Sequence, residues 1–218
     1  MCKRMLMISE RMITAALTAS TGLRAELLDA TVRLLHSRDV AGLTTRDIAR
    51  EAGCSAGALY RHFATKADLL VAVAHERLRP DFGEMVSRVG SSAVERNLEN
   101  IILSTQRFMT ELVPIVTAVG ADAELRAGWG RAFDRDDIPP RRTVEAIAAY
   151  IAAEQRVGRV SSQASPLMSA SMLMATCYED ALVQYIFGES THGMSPTRHA
   201  RALAHELWMG LKPCLQNE

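Results

Sequence analysis

Residues 44–63 read Thr44-Thr45-Arg46-Asp47-Ile48-Ala49-Arg50-Glu51-Ala52-Gly53-Cys54-Ser55-Ala56-Gly57-Ala58-Leu59-Tyr60-Arg61-His62-Phe63. Thr44 and Thr45 supply side-chain oxygens suited to cap a helix, and Ile48, Ala49 and Ala52 then fall on one face of Arg46–Ala52. Gly53 stops that helix, because glycine accepts the left-handed conformation a helix end often needs. Ser55 caps a second short helix, Ala56–Phe63, with Leu59 and Phe63 on its buried side. A helix-turn-helix needs a small residue where its helices cross, a glycine in the turn, and an apolar residue about six positions later to lock the second helix on the first. Ala49, Gly53 and Leu59 meet those demands.

The second helix is then free to enter a major groove with its N-terminus foremost. Ser55, Ala56, Gly57 and Ala58 leave its first turn nearly bare, so that backbone can approach DNA closely and the Ala methyls can touch thymine. Arg61 suits a guanine edge, and Tyr60 and His62 suit phosphates or bases. Thr45 and Arg46 at the start of one helix, and Lys66 at the start of the next, are placed for phosphate oxygens. Arg50 reads as an ordinary solvated charge.

The flanks complete a small helical domain. Between Arg24 and Ser37, Leu27, Leu28, Thr31, Val32, Leu34 and Leu35 recur at three- and four-residue spacing. Thr65 followed by Asp68 resembles a capping box opening a long helix to about Arg79, before Pro80. Although the 218 residues carry 25 Lys/Arg against 25 Asp/Glu, residues 1–80 hold 12 against 8 and the remainder 13 against 17. Contact with a polyanion is therefore expected of the first 80 residues.

Composition, 48% apolar, 23% charged and 5% aromatic, is that of an ordinary globular chain. Cys2, Cys54, Cys177 and Cys214 form no C-x-x-C pair and read as reduced thiols, which points to the cytoplasm. The apolar stretch Met5–Ile8 is too short for a signal-peptide core, and no segment approaches the ~20 apolar residues of a membrane span. Residues 1–20 read as an N-terminal arm.

The whole stretch Leu27 to about Leu78 resembles the DNA-binding domain of tetracycline-repressor-type (TetR family) regulators. The resemblance is carried by Leu43-Thr44 through Phe63, followed by Thr65-Lys66-Ala67-Asp68-Leu69-Leu70. It covers about a quarter of the chain. It implies an all-α homodimer: an N-terminal three-helix helix-turn-helix domain over 21–80, and a C-terminal helical domain over 81–218 that binds a small molecule and dimerises. It also implies DNA contacts at Thr45, Arg46, Ala56, Gly57, Ala58, Tyr60, Arg61, His62 and Lys66. Two positions depart from the family pattern. Asp39 stands where a glycine usually ends the first helix, a turn aspartate can still make. Cys54 replaces the commoner valine; it reads as a small hydrophobe rather than a redox-sensitive thiol.

The C-terminal half is helical in pattern throughout. A helix from about Val94 to Leu112 is expected to kink or end at Pro114. A shorter piece over Glu124–Phe133, a loop at Asp134, Asp136, Asp137, Pro139 and Pro140, and a helix Arg141–Arg156 closed by Gly158 follow. Ser165-Pro166 and Ser195-Pro196 open the last two helices, about 166–187 and 196–211. The first is apolar on nearly every face and has to be covered on all sides, so the pair is the expected homodimer interface. Met85, Phe108, Met109, Leu112, Trp129, Phe133, Tyr150, Met172, Cys177 and Tyr178 are candidates for an apolar pocket, although each is more often simple core.

An enzyme is disfavoured. No nucleophile elbow, phosphate loop or H-E-x-x-H occurs, and no cofactor or metal is expected: His192, His199 and His205 suggest one, but His199 and His205 are six apart on a helix and point in different directions. Glu179 and Asp180 read as a buried polar pair or a ligand contact. The expected function is a repressor on a palindromic double-stranded DNA operator, released by a small apolar or amphipathic ligand. An activator of the same fold and a constitutive architectural DNA-binding protein remain alternatives.

Overall fold

In a computed structural model, the described residues are 22–35, 42–78, 88–135 and 141–213, with side chains from 133 to 135 and at 78 left aside. The arm at 1–20, the turn at Asp39, the helix end at Arg79–Pro80, Met85, and the loop at Asp136 to Pro140 lie outside them. All described regular structure is helical. We label the helices α1 (22–35), α2 (Thr45–Glu51), α3 (Ala56–His62), α4 (Lys66–Val73), α5 (Val94–Ala121), α6 (Ala123–Arg135), α7 (Arg142–Arg156), α8 (Pro166–Phe187) and α9 (Pro196–Leu211). No helix among the described residues is long and apolar enough to cross a membrane.

The chain packs as two units. One contains the described residues up to Arg77 together with Ala118–Ala132; the other contains those of Leu78–Thr117 and Phe133–Glu218. In the first unit Leu27, Leu28, Ile48, Leu59, Leu69 and Leu70 are fully buried. Each such side chain removed from water contributes about 1.5–3 kcal/mol. Gly128 of α6 faces Ala67 of α4 so closely that a Cβ there would lie 2.8 Å from the Ala67 Cβ.

Local chemistry sets the helix ends. Thr44 caps α2 and Thr65 caps α4, each in a reciprocal capping box with the aspartate three residues on, Asp47 and Asp68. Ser165 and Ser195 cap α8 and α9, with proline in the first turn as expected. Gly158 (φ 76°) closes α7: its N–H donates to Gln155 O, and the Arg159 N–H to Glu154 O.

Asp134, expected in a loop, lies inside α6, which runs on to Arg135. Two further expectations are corrected. Pro114 does not end its helix: α5 runs from Val94 through Ala121 with Pro114 inside it. Proline deletes a single i→i−4 bond, and Val113 and Ile115 on either side of it, with Val119 one turn on, are all buried. The fourth helix is not α-helical to Arg79. It changes at Ala74 to a π-turn, Ala74–Leu78. That wider turn carries Glu76 and Arg77 to α1: Arg24 makes a two-pronged bond to Glu76 (2.6 and 2.7 Å), and Arg77 Nε reaches Asp29 at 2.6 Å.

The second unit is built on α5, α7, α8 and α9, with Leu98, Ile102, Ile147, Tyr150, Leu173 and Cys177 among its buried side chains and α7 packed along α8. Fully buried Glu154 accepts from the Gly90 N–H and faces Arg159 Nε at 3.5 Å, fastening the 88–93 turn to the end of α7.

Candidate nucleic-acid interface

The turn between α2 and α3 is fixed by backbone bonds. Gly53 (φ 66°) donates to Arg50 O at 3.1 Å and Cys54 to Ala49 O at 2.8 Å. These are the two bonds that satisfy the last carbonyls of a helix when a left-handed residue follows it. Cys54 is half-buried in that turn. Ser55 then starts α3, its Oγ accepting from the Ala58 N–H at 3.2 Å. Ile48, Ala49 and Leu59, all within 2% of full burial, close α2 on α3.

That inner packing decides what α3 offers outward. Gly57, Tyr60 and Arg61 are exposed, Tyr60 by 50%, while Ala56 and His62 are half-buried. Thr45, at the first position of α2, shares a hydrogen bond of 3.0 Å with the Tyr60 hydroxyl. The bond ties the outer face of α3 to the start of the preceding helix. Arg46 is exposed beside it. Ala58 is different: it is 7% exposed and faces the interior with Leu59, so its methyl is not on the outer face expected for it. Lys66 is half-buried at the start of α4. Burial lowers its ammonium pKa, against the pull of the Asp122 carboxylate. Arg24 covers the opposite end of α3, its guanidinium 5.2 Å from the Phe63 ring centre.

A firmly seated short helix with a bare first turn, preceded by a glycine turn and a capped helix, is the arrangement of a DNA-reading helix-turn-helix. The family model for bacterial regulatory proteins of the tetR family matches residues 27–73. Residues 27–73 are therefore similar to the DNA-binding segment of that family. Over 174 residues, 79% of this chain and 86% of the relative, it is 24% identical to the HTH-type transcriptional repressor AcnR of Corynebacterium efficiens. Over 119 residues, 49% of the chain, it is 42% identical to an uncharacterized HTH-type transcriptional regulator of Mycobacterium tuberculosis, of which 59% is covered. Among solved structures it resembles the transcriptional regulator FadR from Bacillus subtilis in complex with stearoyl-CoA, with a TM-score of 0.60 at 14% identity over 84% of this chain and 96% of that one. These relatives and this neighbour are each named as transcriptional regulators or repressors.

The apolar residues proposed for a pocket fall in different surroundings. Phe108, Met109, Tyr150 and Cys177 are buried in the second unit, and Leu112 is half-buried there. Burial pushes the Cys177 thiol up to about 12 and raises the Tyr150 phenol, so both stay protonated. Met172 and Tyr178 lie on an exposed face of α8, by 59% and 39%. Trp129 belongs to the first unit, and the Phe133 side chain lies outside the described residues.

The structure also assembles a group that spacing arguments passed over. His199 pairs not with His205 but with His192 and Asp180, whose ligand-capable atoms all lie within 4.8 Å of one another. His205 instead meets Glu95 at 2.9 Å. No local spacing links the three, since His192 sits in the α8–α9 turn and Asp180 lies 19 positions before His199. Burial lowers the His199 pKa, and the neighbouring His192 acts in the same direction.

Proposed function

We propose that the chain is a homodimeric repressor that holds a palindromic operator through α3 of each protomer, and that a small apolar or amphipathic ligand releases it. The observation that carries the DNA-binding reading is the asymmetry of α3: Leu59 is fully buried, while Tyr60 and Arg61 stand on an outer face next to a bare first turn. Thr45, Arg46, Ser55, Ala56, Gly57, Tyr60, Arg61, His62 and Lys66 are the proposed contacts. Of these the Ser55 hydroxyl already serves as the α3 cap, so it approaches DNA as part of the helix N-terminus.

The dimer is supported by α8. Met168, Met172, Ile186 and Phe187 are exposed by 57–71%, a face too apolar to be left to water. A second copy contributing its own α8 and α9 makes a four-helix bundle about a twofold axis. Its two recognition helices would then read half-sites about 34 Å apart. The ligand class is supported by the methionine-rich second unit and by the acyl thioester bound to the FadR neighbour.

The test is operator binding measured by footprinting beside the chain's own promoter, then by salt-matched titration. Tyr60→Ala is expected to weaken operator affinity about 10-fold or more, and Lys66→Ala to reduce the salt slope by about 1, both with the dimer intact. Unchanged affinities overturn the site, and a monomer by light scattering at micromolar concentration overturns the dimer. Long-chain acyl thioesters are expected to raise the melting temperature and weaken operator binding together; a panel of apolar and amphipathic compounds that does neither overturns ligand release.

A further inference from the structure

Asp180 lies on the last two turns of α8, His192 in the turn that follows, His199 in the first turn of α9 and Gln106 on α5. All four belong to the second unit. Gly188 (φ 80°) ends α8 and Gly193 (φ 58°) bends the chain back, which returns His192 over His199 with ring centres 4.5 Å apart. The turn is organised on one carboxylate oxygen. Asp180 Oδ1 accepts from Ser190 Oγ at 2.8 Å and from the Thr191 N–H at 3.2 Å, while Thr191 Oγ1 donates to Glu179 at 2.9 Å. Oδ2 of Asp180 is left facing His199 Nδ1 at 3.5 Å.

The hydrogen-bond arithmetic around His199 does not close. Its Nδ1 lies 3.1 Å from Gln106 Nε2, and the other amide atom, Gln106 Oε1, is buried with no partner. If Nδ1 accepts from the amide, its lone pair also faces the Asp180 carboxylate, and Oε1 stays orphaned. If Nδ1 carries a proton, the amide must turn end for end to accept it, and the amide nitrogen loses this partner instead. Each assignment leaves one buried polar atom unmatched, where nearly all such atoms are satisfied. Gln106 is 92% buried and His199 95% buried, so neither is rescued by rotating into solvent.

A dication supplies what is missing. Ligand atoms about 2.1 Å from a tetrahedral metal stand about 3.4 Å apart, close to the 3.5 Å between Asp180 Oδ2 and His199 Nδ1. The turned Gln106 amide would present Oε1 about as close to Nδ1. The exposed His192 side chain has only to swing inward from within 4.8 Å. The bonds from Ser190 and Thr191 to Oδ1 are the outer support that orients a ligating carboxylate. We propose that Asp180, His192 and His199, with the Gln106 amide oxygen as fourth ligand, form a site for a divalent first-row transition metal of the zinc type. Two imidazoles with two oxygens suit that class better than calcium or magnesium, which take oxygen donors. Occupancy would pin the α8–α9 turn to α5. The assignment does not depend on DNA or effector binding and can fail without affecting either.

The full-length chain, purified without a histidine tag and stripped with a chelator, is titrated with zinc chloride against a chromophoric competitor, and separately with cobalt chloride. One zinc per chain is expected, with a cobalt spectrum of tetrahedral N/O ligation. His192→Ala, in an exposed turn where the fold has little to lose, and Asp180→Asn are expected to weaken zinc binding 10-fold or more. His205→Ala is expected to leave it unchanged. The proposal is overturned if His192→Ala binds zinc like the parent, if no stoichiometric binding occurs at micromolar metal, or if cobalt shows a thiolate charge-transfer band, which would place the metal on cysteine.

Discussion

Adding one methyl group at Gly128 tests whether α6 rests on α4 as closely as the structure indicates. In an exposed helix interior, glycine to alanine stabilises by about 1 kcal/mol. At Gly128 a Cβ would stand 2.8 Å from the Ala67 Cβ, against the ~3.5–4.0 Å at which two carbons attract, so the helices must part by about 1 Å. Ala67 has no rotamer through which to retreat, and forced repacking of this kind costs about 1–3 kcal/mol. Gly130, two residues on in the same helix, has nothing within 4 Å of its added Cβ and receives the propensity gain alone. Thermal unfolding should therefore place Gly130→Ala above the parent and Gly128→Ala below Gly130→Ala by about 1–3 kcal/mol. For a chain of this size that separation is on the order of 5 °C in Tm. Ala67→Gly in the Gly128→Ala background should recover part of the loss, giving a favourable coupling between the two sites. If Gly128→Ala melts with Gly130→Ala, or the double variant shows no coupling, α6 does not press on α4 and the packing argument fails.

Three further outcomes follow from the caps and the charged contacts. Thr44→Ala removes the hydroxyl that accepts from the Asp47 N–H at 3.2 Å; calorimetry should show a loss of about 1 kcal/mol, and an unchanged Tm would mean that the α2 cap contributes nothing. Glu154→Ala leaves Arg159 and the Gly90 N–H without their buried acceptor and should cost about 2–4 kcal/mol in denaturant unfolding, with Glu154→Gln milder because its amide oxygen still accepts; equal losses would contradict that role. Glu76 is held below the usual carboxylate range chiefly by its hydrogen bonds from Arg24. A depressed carboxylate contributes stability above its unfolded pKa, 4.5, and loses it as pH falls through the folded value. The stability gap between the parent and Glu76→Gln should thus be full at pH 6 and shrink as pH falls below 4.5; since the pair is a third exposed, it should not exceed about 1 kcal/mol, and a gap that does not narrow at all below pH 4.5 refutes the linkage.

What was legible in the sequence was what a few neighbouring residues decide together. Thr65 with Asp68, Gly53 alone, Ser165 with Pro166 and Ser195 with Pro196 each mark a helix boundary within one turn of chain, and the structure has a boundary at each. Pro114 misled because a local rule was applied where a distant one governs. One lost backbone bond is small against the buried side chains that carry α5 past it, and those burials are set by helices whose partners the sequence does not state. The π-turn at Ala74–Leu78 has the same origin: the ion pairs of Glu76 with Arg24 and of Arg77 with Asp29 span 52 and 48 positions. Ala58 shows the limit within the motif itself. Nothing in Ser55-Ala56-Gly57-Ala58 distinguishes one small residue from another, yet a rotation of 100° per residue turns Ala56 partly outward and Ala58 inward beside Leu59.

The Asp180–His192–His199 group carries that point to function. Spacing of four along one helix brings two rings to one face, and His199 with His205 does not have it. The partners that matter come from another helix and from a turn, made neighbours by Gly188 and Gly193, two residues whose only sequence signal is their tolerance of positive φ. The same turn binds Ser190, Thr191 and His192 around Asp180, so its geometry and the candidate ligands are specified together. A helix-turn-helix is encoded in contiguous sequence because a short helix must fit a groove of fixed shape. Groups that bind small partners are under no such demand, and here they come from four separate stretches of the chain.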